Sequence, residues 1–213
     1  MTPNPISAGA FADTKPHYHL LDGLRGVAAL VVICFHIGED FATNSLTHYF
    51  SHGYLAVDFF FMLSGFVIGY AYDDRGNSMS VGSFIKRRVI RLHPMVIVGA
   101  LFGAVMFYGQ GSEYLNVQSV PLALLAFATL LNMLLVPAWS GVEVRGFGEI
   151  FPLNGPAWSL FFEYIANLLY VLFIRKLSTH RLALLVFAMA GALLGYALTN
   201  ESGTLGAGWT FAN

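Results

Sequence analysis

Arg25 and His36 lie eleven residues apart, at the two ends of the run 26–35, which carries no charged or strongly polar side chain. On an α-helix, eleven residues turn through about 1100°, so both side chains share one face roughly 16.5 Å apart. A guanidinium and an imidazole on so apolar a helix are costly in lipid, and are accommodated where they line a polar cavity. Burial disfavours a charged imidazole, and a neutral one can accept a proton. The chemistry this spacing permits is therefore general-base chemistry inside a membrane. A simpler reading stands beside it: an Arg25 that snorkels to one interface and a His36 that sits at the other.

Three further groups add to that pair. Asp58 is the only charge between residues 53 and 72. It could hold the second nitrogen of an imidazole, or merely be solvated at a helix start. In the same segment Gly65 and Gly69 form a small-xxx-small pair of the kind found where membrane helices pack closely. The basic run 86–91 reads as an amphipathic helix at the cytoplasmic interface. Ile85, Val89 and Leu92 make an apolar stripe, with Arg87, Arg88 and Arg91 within about 100° of one another beside it. Such a cluster anchors a helix to anionic lipid, or clamps a phosphate through the paired N–H donors of Arg88 and Arg91. In 154–163, Asn154 and Pro156 suit a helix start and Trp158 a membrane interface. Glu163 then falls about 7.5 Å deeper, with Asn167 and Tyr170 at i+4 and i+7 on its face. That polar stripe should face the bundle interior, for substrate or for hydrogen bonds between helices.

Composition dictates what positions these groups. Hydrophobic residues make up 56% of the 213 and charged residues 11%, against about 25% charged in a soluble domain. Apolar segments of near-spanning length occupy 20–41, 54–72, 94–108, 120–139, 158–174 and 182–199. The expected fold is all-α, a polytopic transmembrane helix bundle of five or six segments, one of them re-entrant. A polar tail, 1–17, precedes a membrane domain over 18–213, and the tail lacks the basic and apolar regions of a cleaved signal. The net charge of −1 says nothing about partners; no nucleic-acid partner is expected. The lone cysteine, Cys34, excludes an intramolecular disulfide and a cysteine zinc site. It lies about 200° from His36 on the helix, so the two are no nucleophile–base pair. No metal site is expected.

Charge distribution orients the chain. Arg75, Lys86, Arg87, Arg88 and Arg91 concentrate between the second and third segments, and the connection before it carries Glu39 and Asp40 without a cation. The positive-inside rule puts the N-terminus and this basic connection in the cytoplasm. Arg175, Lys176 and Arg181 should be cytoplasmic too, which places 154–158 outside and requires an odd number of crossings after His93. Residues 120–139, bounded by Pro121 and Pro137 and holding Asn132, form the weaker span.

In this order the pieces resemble the acyltransferase family 3 of integral membrane proteins. The matching stretches are 21–26 running to His36, 57–66, 84–94, and 154–160 with Glu163. The resemblance implies transfer of an acyl group, often acetyl, from cytoplasmic acyl-coenzyme A to a hydroxyl of a surface or exported carbohydrate or glycolipid. It implies no permanently bound cofactor, and a multi-pass protein of the cytoplasmic membrane. It assigns His36 as the base, with Asp58 or Glu163 orienting it or balancing its charge. Arg25 would flank the donor channel, Arg88 and Arg91 would hold coenzyme A phosphates, and Trp158 and Ser159 would bind substrate or donor, joined by Asn167 from its place on the Glu163 face. Direct transfer is expected rather than an acyl-enzyme, because neither Cys34 nor Ser64 has an evident partner base in the sequence. The family pattern of roughly ten spans makes this chain its N-terminal half. The rival readings are a polytopic transporter or proton-coupled carrier, and a non-catalytic half-domain.

Overall fold

The computed structural model describes residues 18–41, 49–72, 79–110, 119–146 and 148–199. The 1–17 tail and Arg75 fall outside them, and the side chains of Glu39 and Asp40 are likewise not described. Among the described residues the regular structure is helical with no strand. In order, the helices are α1 (His19–Phe41), α2 (Leu55–Tyr72), α3 (Val81–Gly109), α4 (Leu122–Met133), α5 (Ala157–Leu172) and α6 (Thr179–Thr199), with a 3-10 turn at Ile174–Lys176. Five helical stretches are long and apolar enough to cross a membrane, and α4 is not among them. The all-α polytopic expectation is met. The chain divides into two compact units, Met1–Leu63 and Ser64–Asn213.

In the first unit, α1 meets the turn that leads into α2. Gly53 is buried, and a Cβ there would come within 2.6 Å of the Phe35 Cβ. Phe35 also meets the Tyr54 ring edge-on at 6.3 Å. The absence of a side chain at Gly53 is what lets the turn close on α1.

The second unit is built on α3. Ser80 caps it, its hydroxyl accepting the Ser83 N–H at 3.2 Å. The basic run and the apolar segment after it, read from the sequence as an interfacial helix and a separate span, are one helix of 29 residues, about 43 Å long. Pro94 lies inside it and removes only the N–H that would have served the Ile90 carbonyl. α5 runs back antiparallel to α3. Phe84 meets Tyr170 at 5.7 Å between ring centroids, Tyr164 Oη lies 3.5 Å from His93 Nδ1, and Gly99 faces Asn154. Between the two, α4 has 12 residues, about 18 Å against a hydrocarbon core of about 30 Å.

Gly65 is therefore not a close-approach glycine. Gly65 is exposed with open space where a Cβ would stand, whereas on α3 Gly99 receives the Asn154 side chain and Gly103 the Leu153 backbone. A Cβ on Gly99 would lie 2.6 Å from Asn154 Nδ2, and one on Gly103 would overlap the Leu153 carbonyl oxygen. The connecting segment buries several of its apolar side chains. Val142, Val144 and Leu153 pack with Phe107 and the buried face of α4, while Leu135 and Phe151 pack with Val96 and Ala157. Gly103→Ala should push this segment off α3, with a loss of stability of about 1–3 kcal/mol. Thermal unfolding in detergent, with Gly65→Ala as an innocuous control, measures it.

With α3 crossing and α4 too short to cross, Ser80 and Gly155 stand at opposite ends of the second unit. Arg175 agrees, since its Nη1 donates to the Met79 carbonyl at 3.3 Å and so brings the basic turn after α5 to the start of α3. In a Cys34→Ser background, a cysteine at Gly155 should react with impermeant thiol reagents applied outside, and one at Ser80 only after permeabilisation. Labelling of both from one side would show that α4 completes a crossing.

Candidate active site

In the first unit the predicted residues sit on α1 and the start of α2. Arg25 Nη1 pairs with Asp22 Oδ1 at 3.2 Å, one turn earlier, with both side chains partly exposed. An exposed pair of this kind contributes little to stability. His36 is exposed and meets Phe35 edge-on at 5.3 Å. Asp58 is exposed in the first turn of α2, where negative charge suits the helix dipole. The sequence led to an imidazole turned inward beside Asp58. Within this unit both groups instead stand exposed. Nearby, His52 Nδ1 lies 3.4 Å from the Tyr54 hydroxyl, a pair that sequence reading did not single out.

The second unit holds a polar layer between α2, α3 and α5. Arg88 is 3% exposed, its guanidinium 5.4 Å from the Tyr72 ring centroid and 5.6 Å from that of Phe84. Such stacking contributes about 2 kcal/mol or more when desolvated. Glu163 on α5 attracts Arg88 electrostatically and Arg91 opposes it. The antiparallel pairing of α3 with α5 sets Arg88 level with Asn167, which is wholly buried. Asn167 Nδ2 donates to the Glu163 carbonyl at 2.7 Å. The Arg88 Nε and Nη2 and the Asn167 Oδ1 have no hydrogen-bond partner among the described residues. Arg88 and Arg91 were expected to grip a phosphate together. They divide instead: Arg88 lies within the aromatic cluster, while Arg91, with Lys86 and Arg87, is exposed.

Glu163 has one partner the sequence did not supply. Ser64, on α2, donates its hydroxyl to Glu163 Oε1 at 2.7 Å in a part-buried setting. Ser64 therefore has a carboxylate beside it, and the ground for setting it aside does not hold. Only the fold brings residues 99 positions apart together, and no local spacing announces it. Of the other predicted groups, Ser159 Oγ donates to the Pro156 carbonyl at 2.9 Å, within the first turn of α5. Trp158 stacks edge-on against Phe162 at 6.2 Å.

Beyond α4, Arg145 Nη1 donates to Glu149 Oε2 at 3.3 Å and to the Pro152 carbonyl at 3.4 Å. The Glu143 carboxylate accepts the backbone N–H groups of Arg145 and Gly146. Burial pushes the Glu149 carboxyl above the usual carboxylate range, and Arg145 draws it partly back. This network braces the segment that seats Leu153 and Asn154 on α3. No group of three or more histidines, cysteines and carboxylates suited to a metal occurs among the described residues.

A polytopic α-helical protein with basic, carboxylate and hydroxyl groups set within its spans is of the class that holds membrane enzymes and carriers. The chain matches the family described as an acyltransferase domain over residues 18–213, and it belongs to that family, whose members transfer acyl groups other than aminoacyl groups. It is 33% identical over 188 residues to protein 2 in the picA locus of Rhizobium radiobacter, an alignment covering 82% of this chain and 91% of the relative. It is 31% identical over 185 residues to the acyltransferase MdmB of Streptomyces mycarofaciens, covering 82% of this chain and 44% of that one. A protein of Staphylococcus aureus strain COL named as an O-acetyltransferase is 40% identical over 82 residues, 37% of this chain and 12% of its own. The chain thus spans most of the first relative, under half of the second and a small part of the third. No solved structure matches.

Proposed function

We propose that the chain serves as a membrane-embedded O-acyltransferase that moves an acyl group, acetyl in the first instance, from acyl-coenzyme A to a hydroxyl of a surface or exported carbohydrate. Membership of the acyltransferase family carries the reading, and the O-acetyltransferase name of one relative supports acetyl to a hydroxyl. In this reading the protein lies in the cytoplasmic membrane with its N-terminus inside, where acyl-coenzyme A is present. The Arg175 contact with Met79 supports that orientation, because it gathers the basic residues at one end of the second unit.

His36 takes the acceptor hydroxyl's proton as its oxygen bonds to the thioester carbonyl carbon. The tetrahedral intermediate then collapses, the carbon–sulfur bond breaks, and the departing thiolate takes up a proton. Asp58 is the orienting carboxylate on the His36 unit, and Arg25 belongs to the donor-handling set. Glu163 supplies negative charge that balances Arg88 within the second unit. Arg91, exposed with two further cations beside it, contacts the phosphates of coenzyme A. Arg88 acts from beneath as a fixed positive charge, and Trp158, Ser159 and Asn167 shape the donor end of α5. No resident cofactor enters the reaction.

Release of free thiol from acetyl-coenzyme A by the purified chain in lipid nanodiscs tests the reading. Thiol release that rises when carbohydrate acceptor is added supports it. Binding of acetyl-coenzyme A without any acceptor-dependent release would favour a non-catalytic half-domain, and absence of binding would remove the donor assignment.

A further inference from the structure

A carboxylate one and a half turns into an apolar helix needs a donor. Glu163 is placed there, and Ser64 provides a side-chain hydrogen bond to it: a hydroxyl from a different helix, donated to Oε1 at 2.7 Å. Asn167, four residues on, gives its amide to the Glu163 backbone carbonyl and leaves the carboxylate alone. Arg88 attracts the carboxylate but keeps its guanidinium within the Tyr72 and Phe84 rings. Rotation about the side-chain bonds of Glu163 is therefore limited by Ser64, which holds one of its oxygens.

We propose that Ser64 is a positioning residue for Glu163, fixing the carboxylate through Oε1 so that its charge stays in place beside Arg88 at the donor end of the second unit. The proposal rests on the role given above to Glu163. It assigns Ser64 no covalent bond to the acyl group. A carboxylate so near a hydroxyl could instead act as the base of a nucleophilic serine, and that is the outcome the experiment has to separate.

The test uses the full chain in nanodiscs with acetyl-coenzyme A as donor, and compares Ser64→Ala, Ser64→Thr and Glu163→Gln. Ser64→Ala should lower kcat about tenfold, as for the loss of one hydrogen bond to a charged group. Its KM for the donor should stay within about twofold, because no donor contact is removed. Ser64→Thr, which keeps the hydroxyl, should restore most of the turnover. Mass spectrometry of protein incubated with donor alone should find no acetyl group on Ser64. Wild-type kcat in Ser64→Ala alongside a slow Glu163→Gln would overturn the role of Ser64 while leaving that of Glu163. Wild-type kcat in Glu163→Gln would remove the Glu163 assignment and the positioning role with it. An acetyl group on Ser64 would replace positioning by nucleophilic catalysis.

Discussion

His36→Ala should lower acyl transfer about 10²–10⁴-fold, the usual loss when a general base is removed. Insertion and thermal stability should be preserved. The side chain is exposed on α1, so truncation leaves no core cavity to destabilise the helix. Initial rates of acetyl transfer, normalised to protein recovered in the membrane, give the measurement. A variant that transfers at near-normal rate would place the base elsewhere. His52 and His93, each within reach of a tyrosine hydroxyl, would then be the next residues to substitute.

Arg91→Ala should weaken acetyl-coenzyme A far more than the phosphate-free analogue acetyl-pantetheine. A charge-assisted contact to phosphate contributes about 1.5–3 kcal/mol, which corresponds to roughly a 10–100-fold change in Kd. The structure separates this residue from Arg88. Arg91 is exposed, and its removal leaves the packing of the second unit intact. Arg88→Ala would vacate the space between Tyr72 and Phe84 and destabilise the protein as well. Competition binding with both donors, run on both variants, distinguishes the roles. Equal losses for the two donors in Arg91→Ala would assign the exposed cations to anionic lipid instead.

How far the sequence reached follows from which interactions are local. Long apolar runs with few charges are dictated by the bilayer, and α1, α2, α5 and α6 lie close to where hydropathy put them. The merging of the basic run with the span after it into α3 was not legible. Pro94 reads as a boundary, yet a proline removes only one helical hydrogen bond, and the packing of Val96 and Ala100 holds the helix through it. Helical spacing puts Arg87, Arg88 and Arg91 within about 100° of one another. It could not foretell that Tyr72 and Phe84 would enclose Arg88 alone, because that depends on which side of α3 meets its neighbours. The Ser64–Glu163 bond and the seating of Leu153 on Gly103 are long-range, and nothing in either local sequence encodes the partner. The odd number of crossings demanded by charge is, by contrast, a constraint on the whole chain; α4 has 12 residues, fewer than a span needs, and labelling at Gly155 tests the crossing number.

The most direct measurement is acyl transfer itself: radiolabelled acetyl-coenzyme A supplied to the purified chain in nanodiscs, with glycolipid and polysaccharide of the native cell envelope as acceptor. The expected result is label in ester linkage to a carbohydrate hydroxyl, released by mild base, matched by equimolar free coenzyme A and lost in His36→Ala. Label that never leaves the donor while the folded protein is saturated with it, or transfer unchanged in His36→Ala, would contradict an O-acyltransferase working through this histidine.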